Sequence, residues 1–467
     1  MSGAPRLTVE EVAFFERPAQ FRMPFRFGVV TLTAAPQLFV RARVRLEDGR
    51  EGWGMAAELM VPKWFDKSPE LSNEDNFDQL RRAARIAADL QTADRSAGTA
   101  FGRHVAVARD HAAACAGAGL PGLVAGFGIS LLDRAVLDAT LRLLGASVFA
   151  GARANVFGLT SALAPDLDGF DLDGFLRGLA PAPRIAVRHT VGLADPITAA
   201  DQSAETRIAD GLPETLEEVI AAHGVDHFKL KVSGDVPADI ARLRAIAAVL
   251  DTLPAYRVTL DGNEQFADVE GILALWHAIA DAPELERLRR AILFVEQPIA
   301  RAAAFAADIS ALAARIPVEI DESDDRIGAF PEAAALGYSG VSSKSCKGFY
   351  RALLNRARCA RGNAGAAAAR LFMSAEDLTT QAGLAVQQDL ALATLIGCDH
   401  VERNGHHYVH GMSGAPEAER AAFLAAHPDL YAPSPAGPRL RIEQGRLAIG
   451  SLDTPGLGSA VLPAPPG

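Results

Sequence analysis

The pattern of apolar and polar residues changes along the chain, and each change predicts a different kind of element. Residues 38–46 (LFVRARVRL) alternate apolar and polar side chains, as a half-buried antiparallel strand does. The turn residues 47–49 and the segment 51–54 then predict a hairpin. From about residue 76 to 144 the pattern becomes helical and rich in alanine, and Gly145 supplies a helix stop. We therefore expect the chain to begin with an α+β domain.

A repeating cycle begins at about residue 184, where short β-branched, apolar runs alternate with alanine-rich helical stretches. Strands that alternate with helices pair in parallel, and eight such units can close into a barrel. The pattern predicts an α/β fold, a (β/α) barrel of the TIM type preceded by the α+β domain. The eight candidate strands are RIAVRHTVG, VDHFKLKV, YRVTLDGN, AILFVEQP, IPVEIDES, SGVSSKS, RLFMSAE and HVERNG.

These patterns divide the chain into four parts. Residues 1–156 form the predicted α+β domain, and residues 184–412 form the predicted barrel. The segment 157–183 between them is rich in Gly, Pro and Asp, which is typical of a linker or an insertion. Residues 413–467 are expected to return to the first domain.

Composition narrows the classes of function. Hydrophobic residues make up 49% and charged residues 22% of the 467 residues, which is typical of a globular protein with more than one core. No apolar run is long enough to span a bilayer, and the first residues lack the pattern of a secretory signal. We therefore expect a cytoplasmic protein without a membrane partner. The net charge of −11 argues against a nucleic-acid partner.

Charged residues occur where the barrel pattern calls for apolar ones, near the carboxyl ends of five successive strands. In a barrel these ends form the rim where active sites lie. Each residue alone has an ordinary explanation, such as a helix cap or a solvated strand face. Their repetition at the same end of five strands favours a functional site. The residues are Lys229, Lys231, Asp261, Asn263, Glu296, Asp321 and Lys344.

The chemistry of this set indicates a magnesium enzyme. Converging carboxylates repel one another unless a cation lies between them, and oxygen ligands without His or Cys favour Mg²⁺. A lysine beside a cation and a second ammonium group has a lowered pKa and can act as a base near neutral pH.

The motifs F-K-L-K, L-D-G-N, V-E-Q-P, I-D-E-S and S-S-K resemble those of the enolase superfamily, in its muconate-lactonizing-enzyme and mandelate-racemase-like branch. LEDGREGWGMAAE and GISLLDRAVLDATLRLLG resemble the hairpin and the last helix of the capping domain of that family. The resemblance implies Mg²⁺-dependent removal of a proton next to a substrate carboxylate through an enediolate, as in racemases or epimerases, cycloisomerases and dehydratases. It also implies a small-molecule carboxylate substrate and a homo-oligomer.

The same resemblance implies roles for individual residues. Asp261, Glu296 and Asp321 would bind Mg²⁺, and Lys231, supported by Lys229, would be one acid/base. Lys344, after the sixth strand, would be the other acid/base, on the opposite face of the substrate.

The identity of that lysine is open, because this segment departs from the family pattern. Counting back from Gly348 places Ser343 at the lysine position. A one-residue deletion restores Lys344, which lies 23 positions after Asp321, whereas Lys347 is the alternative.

Further candidates are implied for substrate binding. The segments 21–28 and 55–66 are similar to the two loops of the capping domain that contact the substrate in this family. Met23, Phe25 and Trp64 in these segments are candidate pocket residues, and Asn263 and Glu376 are candidates at the barrel rim.

Other interpretations predict different features. An aldolase or a phosphate-ester enzyme on a Mg²⁺-dependent barrel would need phosphate-binding Gly-rich loops after the seventh and eighth strands, which TTQAG and NGHHY do not match. The displaced sixth-strand lysine is compatible with a non-catalytic enolase-like barrel that has a binding role. His406, His407 and His410 lack an established metal-ligand spacing, and we expect a polar loop there.

Overall fold

An antiparallel sheet opens the chain in the computed structural model, which describes residues 3–27, 30–367 and 370–465. The central strand β2 pairs with β1 and β3, and the turn between β2 and β3 confirms the predicted hairpin, with the Leu46 amide donating to the Arg50 carbonyl at 2.9 Å. The predicted contact segment 21–28 is the end of β1 as far as residue 27, and Gly28 lies outside the described residues. The strands are β1 (Leu7–Phe27), β2 (Val30–Leu46) and β3 (Glu51–Leu59).

Three helices follow and complete what is called here the N-terminal domain: α1 (Asn73–Ala93), α2 (Ala100–Gly117) and α3 (Gly122–Leu144). Helix α3 lies directly on β3, because Gly54 has no side chain at the crossing. A Cβ atom at Gly54 would lie 2.1 Å from the backbone nitrogen of Ala139. The helix ends at Gly145, which has a φ of +64° and so confirms the predicted stop.

The predicted linker or insertion 157–183 contains ordered structure that packs on the barrel. It includes one turn of 3₁₀ helix and α5, with Leu167 and Leu176 fully buried. Asp166 accepts two hydrogen bonds from the guanidinium of Arg358, at 2.7 and 2.8 Å. The helices of this region are α4 (Val148–Arg153) and α5 (Leu172–Arg177).

The eight predicted parallel strands are all present, and the predicted (β/α) barrel is confirmed. Their hydrogen-bonded order is β10-β9-β8-β7-β6-β5-β4-β11, and the end strands β10 and β11 lie in contact, so the sheet curls round on itself. The strands are β4 (Arg184–Val191), β5 (His227–Lys231), β6 (Arg257–Asp261), β7 (Ile292–Glu296), β8 (Val318–Ile320), β9 (Gly340–Ser343), β10 (Phe372–Ala375) and β11 (His400–Glu402).

Helices between these strands form the outer layer of the barrel. Their apolar faces pack on the outer faces of the strands, where residues such as Val258, Val318 and Val341 are fully buried. The helices are α6 (Leu216–His223), α7 (Val236–Leu250), α8 (Val269–Asp281), α9 (Glu286–Ala291), α10 (Arg301–Ala304), α11 (Ser310–Ala313), α12 (Ala329–Ala335), α13 (Phe349–Asn363), α14 (Leu384–Leu395) and α15 (Gly405–Tyr408).

The C-terminal segment contacts both the barrel and the N-terminal domain. It contains α16 (Glu417–Ala426), β12 (Tyr431–Ala432), β13 (Arg439–Leu440) and β14 (Arg446–Ala448), and β14 pairs with β4 in antiparallel fashion. Arg17 of β1 pairs with Glu419 at 2.7 Å, and the buried carboxylate of Asp138 accepts a hydrogen bond from the Leu457 amide at 2.8 Å. Within the described ranges, no helix combines the length and apolar character needed to cross a membrane.

Candidate active site

A small cavity lies at the carboxyl ends of the barrel strands, under segments of the N-terminal domain. Its volume is about 30 Å³, which leaves room for about two water molecules. A substrate can therefore enter only when the covering segments or the side chains in the cavity move. The lining residues are Phe25, Val61 and Trp64 from the N-terminal domain and Lys229, Lys231, Asp261, Asn263, Asp321, Lys344, Asp377, Leu378, Thr379, Glu402 and Asn404 from the barrel.

Lys229 forms the centre of the charged cluster. Its ammonium nitrogen lies between 2.7 and 3.1 Å from carboxylate oxygens of Asp261, Glu296, Glu376 and Glu402. Burial alone would lower the pKa of this lysine, but the four carboxylates raise it well above its usual value. Lys229 is therefore a cation that neutralises acidic residues from four different strands.

The carboxylates around Lys229 do not titrate alike. Burial, followed by the charges of Asp261 and Glu376, raises the pKa of Glu296 well above its usual value. Burial opposes ionisation of Glu402 too, but Lys229 and Lys231 lower its pKa well below the usual range. Burial and neighbouring negative charge therefore favour the protonated form of Glu296, whereas Glu402 favours the ionised form.

Lys231 and Lys344 lie on opposite sides of the cavity. Three strands separate β5 from β9 in either direction round the barrel order, so the two lysines face each other across it. Lys231 Nζ lies 2.5 Å from Asp261 Oδ2, and Lys344 Nζ lies 2.5 Å from Asp321 Oδ2. Burial opposes the charge on Lys344, but Asp321 raises the pKa of this lysine above its usual value.

Lys347, the alternative lysine after the sixth strand, occupies a different position. It lies in a 3₁₀ turn, and its ammonium group donates to the Asp321 carbonyl at 2.9 Å and to Ser342 Oγ at 2.8 Å. It contacts the Asp321 carboxylate at 3.1 Å but does not line the cavity. The geometry therefore favours Lys344 over Lys347 as the lysine that can reach a substrate.

Asn263 links two carboxylates at the barrel rim, those of Asp261 and Glu322. Its backbone amide donates to Asp261 Oδ1 at 2.7 Å, and its side-chain amide donates to Glu322 Oε1 at 2.9 Å. Burial, with the charges of Asp321 and Glu264, raises the pKa of Glu322 to about 7. The side-chain oxygen of Asn263 is buried without a hydrogen-bond partner among the described residues, so it is free to accept a bond or to ligate a cation.

Trp64 covers the cavity, because ion pairs attach its loop to the barrel. The Lys344 ammonium lies 4.8 Å from the centre of the Trp64 ring, within range of a cation–π interaction. Arg301 donates to the Trp64 carbonyl at 2.9 Å and pairs with Glu264 at 2.8 Å, and Lys67 of the same loop pairs with Glu264 as well. Glu264 therefore links the loop to the barrel through two cations.

Oxygen ligands suited to a divalent cation are present at the strand ends. Carboxylate oxygens of Glu296, Glu319 and Glu376 lie within 4.8 Å of one another, and all three residues are buried. The predicted ligands Asp261 and Asp321 lie outside this group and are paired with lysines instead. The donors are all carboxylate oxygen atoms, so the residues fit Mg²⁺.

Two polar residues that the predicted site did not include, Glu319 and Arg188, lie beside the predicted residue Glu376. Glu319 and Glu376 share Ser374 Oγ at 2.9 and 2.7 Å, and Arg188 of β4 pairs with Glu376. Charged residues inside otherwise apolar strands, such as Arg188 and Glu319, were the signal that could have identified them. Of the two pocket candidates in β1, Phe25 lines the cavity, whereas Met23 is buried and does not line it.

The prediction of a polar loop is wrong for His406 and His407, which lie in α15 and are buried. Their rings pack against His189 of β4, with ring centres 5.5 and 4.9 Å apart, and His223 of α6 lies 5.6 Å from His406. Burial lowers the pKa of His189 to about 3 and that of His223 to about 4. The histidines come from three elements distant in sequence, so their spacing along the chain could not indicate this packing.

Comparison with known proteins agrees with the motifs. Residues 211–464, more than half of the chain, match the family described as enolase C-terminal domain-like. The chain therefore belongs to the enolase superfamily, and the resemblance to its mandelate racemase and muconate lactonizing enzyme branch is confirmed. No curated protein sequence matches this chain.

Solved structures share the fold at low sequence identity. A mandelate racemase/muconate lactonizing protein from Herpetosiphon aurantiacus is 18% identical with a TM-score of 0.58, covering 97% of this chain and 98% of that chain. A Bradyrhizobium enolase in complex with magnesium and mandelic acid is 16% identical with a TM-score of 0.58, covering 97% and 96%. A dipeptide epimerase from Enterococcus faecalis, in complex with Mg and the dipeptide L-Leu-L-Tyr, is 15% identical with a TM-score of 0.57, covering 97% and 99%.

Proposed function

We propose that the chain is an enzyme that removes a proton from the carbon next to a substrate carboxylate, acting as a racemase or epimerase, a cycloisomerase or a dehydratase. The observation that carries the proposal is the position of Lys231 and Lys344 on opposite sides of one cavity. A planar enediolate between them would present one face to each lysine, so that one lysine can remove the proton and the other can return it.

The carboxylates hold the lysines in place for this task. Asp261 orients Lys231 and Asp321 orients Lys344, each through one contact of 2.5 Å. Asp321 favours the charged form of Lys344, which is the form that can donate a proton. Lys229 neutralises the acidic side chains around it and does not itself transfer a proton.

Asp261, Glu296 and Asp321 are the residues that we propose as Mg²⁺ ligands, since their strands β6, β7 and β8 fill the arc between the two lysines. When bound, Mg²⁺ supplies positive charge that lowers the pKa of neighbouring lysines and stabilises negative charge on the substrate carboxylate. Carboxylate oxygens of Glu319 and Glu376 lie within 4.8 Å of a carboxylate oxygen of Glu296.

The lining also favours a class of substrate. Val61, Trp64 and Leu378 present apolar surface at the top of the cavity and keep water away from the lysines. A carboxylate that carries an apolar group next to the reacting carbon suits this lining. Mandelic acid and L-Leu-L-Tyr, which are bound in two structures of similar fold, both have this character.

The test is proton exchange in D₂O followed by ¹H NMR with Mg²⁺, over α-hydroxy acids, amino-acid derivatives, dipeptides, acid sugars and cycloalkene carboxylates. We expect loss of the α-proton signal of at least one compound, abolished by EDTA. For an epimerase, Lys231→Gln and Lys344→Gln each keep exchange of one stereoisomer, and the double variant loses both. Lys231→Arg is the matched control, because arginine keeps the cation but cannot serve as a base near neutral pH.

Two outcomes would contradict the proposal. Exchange that survives in the double variant would exclude the lysines as the acid/base groups. Absence of exchange across the library, together with absence of Mg²⁺ binding in calorimetry, would favour the non-catalytic barrel with a binding role.

A further inference from the structure

A second cavity, of about 480 Å³, lies where α2 and α3 of the N-terminal domain meet the barrel. The loop 325–327 and the start of α13 form its barrel side. Among the described residues, it shares none of its lining with the lysine-containing cavity. Its volume falls within the range of about 300–1,000 Å³ that small-molecule sites usually have.

Small side chains on two helices create this space. Residues three, four or eight positions apart lie on the same face of a helix. Both α2 and α3 present Ala or Gly on the face that borders the cavity, so the helices approach the barrel without filling the gap. These residues are Ala108, Ala112 and Ala116 of α2 and Gly122, Ala125 and Gly126 of α3.

Two buried polar groups border the cavity without complete hydrogen bonding. Tyr350 is only 2% exposed, and its hydroxyl has no partner in the described part of the chain. Arg351 donates to the Asp324 carbonyl at 2.6 Å, but its Nε atom is buried without a partner. A buried polar group in this state costs free energy until a ligand supplies the missing bond.

The charge of the lining favours an anion. Both carboxylates of the lining are already paired, Asp133 with His104 at 2.7 Å and Asp325 with Arg326 at 3.0 Å. A surplus of positive charge remains, in a chain whose net charge is −11. Of the cationic side chains of the lining, Arg326 pairs with Asp325 and Lys347 with Asp321, so the surplus comes from Arg109 and Arg351, which have no ion pair among the described residues.

We propose that this cavity binds a small amphipathic organic anion, whose apolar body lies against α2 and α3 and whose carboxylate or sulfonate accepts hydrogen bonds from the Tyr350 hydroxyl and the Arg351 guanidinium. The site is independent of the proposed reaction and adds a second ligand to the protein. Its chemical requirement is an apolar group of the size of one or two rings attached to a single acidic group.

Fluorescence titration of the full-length protein with 8-anilinonaphthalene-1-sulfonate tests the site, because this probe has an apolar body and one sulfonate. We expect saturable binding at one site, with displacement by octanoate. Ala125→Phe fills the cavity and should reduce the affinity at least tenfold. Ala113→Phe, on the exposed face of α2 outside the cavity, is the matched control and should leave the affinity unchanged.

Tyr350→Phe provides a second test, because a purely structural role of the Tyr350 hydroxyl would not change the affinity for the probe. It should weaken probe binding roughly tenfold, since a hydrogen bond to a charged group is lost. It should also raise the melting temperature of the ligand-free protein, because an unpartnered buried hydroxyl is removed. Failure of the probe to saturate a single site, or equal affinity in Ala125→Phe or Tyr350→Phe and in the unaltered protein, would overturn the proposal.

Discussion

Replacement of Lys229 by methionine removes an ammonium group that contacts four buried carboxylates. The side chains of Asp261, Glu296, Glu376 and Glu402 are each at most 2% exposed and cannot turn to water. Removal of one partner from a buried ion pair costs about 3–5 kcal/mol. We therefore expect Lys229→Met to lose at least about 3 kcal/mol of unfolding free energy at pH 8.

Protonation of the carboxylates limits this loss of unfolding free energy and makes it depend on pH. Without the ammonium group the carboxylates are more basic, so the folded variant binds protons that the unfolded chain does not. Stability of the variant relative to the unaltered protein should therefore increase as the pH falls from 8 to 6, by about 1.4 kcal/mol per pH unit for each proton bound. Mg²⁺ should stabilise the variant more than the unaltered protein, because the cation replaces the lost charge.

The assay is urea denaturation followed by circular dichroism at pH 8 and pH 6. Each protein is measured in EDTA and in about 10 mM Mg²⁺, a concentration expected to saturate a typical Mg²⁺ site. Lys231→Met is the matched comparison, since this lysine contacts one carboxylate within 2.5 Å and should cost less. Equal stability of Lys229→Met and the unaltered protein in EDTA at pH 8 would refute the reasoning. An equal gain from Mg²⁺ in both proteins would show that the cation does not take the place of the ammonium group.

Three further substitutions test other parts of the structure. Gly54→Ala should cost about 3 kcal/mol or more in urea denaturation, because its Cβ atom would lie 2.1 Å from the backbone of Ala139. Glu264→Gln weakens the ion pair with Arg301 and should increase amide hydrogen exchange in residues 62–67, by the equivalent of about 1–3 kcal/mol. His406→Leu should raise the melting temperature most at acidic pH. Burial holds the pKa of His406 well below its usual value. The unaltered protein therefore has the full stability of the neutral ring above about pH 6.5 and loses it as the pH falls towards the folded-state pKa, whereas the leucine variant does not.

Each of these has a control and a result that would contradict it. Gly117→Ala has no atom within 4 Å of the added Cβ and should be neutral or stabilising, so an equal cost at both glycines would exclude the close approach of α3 as the cause. Glu284→Gln removes an exposed ion pair with Arg244 and should leave exchange in the loop unchanged. If His406→Leu and the unaltered protein lose stability in parallel between pH 7 and pH 5, the buried histidine does not titrate as argued.

Local sequence pattern was sufficient to locate the elements and to identify the family. Eight strands were found from short apolar runs between helical stretches, and Gly145 was found as a helix stop, because both signals depend on residues within a few positions of each other. Polar residues at strand ends could likewise be assigned to the barrel rim, since parallel strands all end on the same side.

Tertiary structure decided which of these polar residues act on one another. Lys229 contacts carboxylates from four strands, and the choice depends on barrel closure and strand register, which no local pattern encodes. The choice between Lys344 and Lys347 depended in the same way on the path of the chain after β9, which directs one ammonium group into the cavity and the other behind Asp321.

Burial was the other property that sequence reasoning could not supply. His406 and His407 have the polar character of a loop, yet they pack in the interior against His189, which is more than two hundred positions away. The cavity between the two domains depends on small residues of α2 and α3 that are ordinary within any helix. Helical periodicity shows which residues share a face of a helix. Which other part of the protein that face packs against is decided only when distant parts of the chain come together.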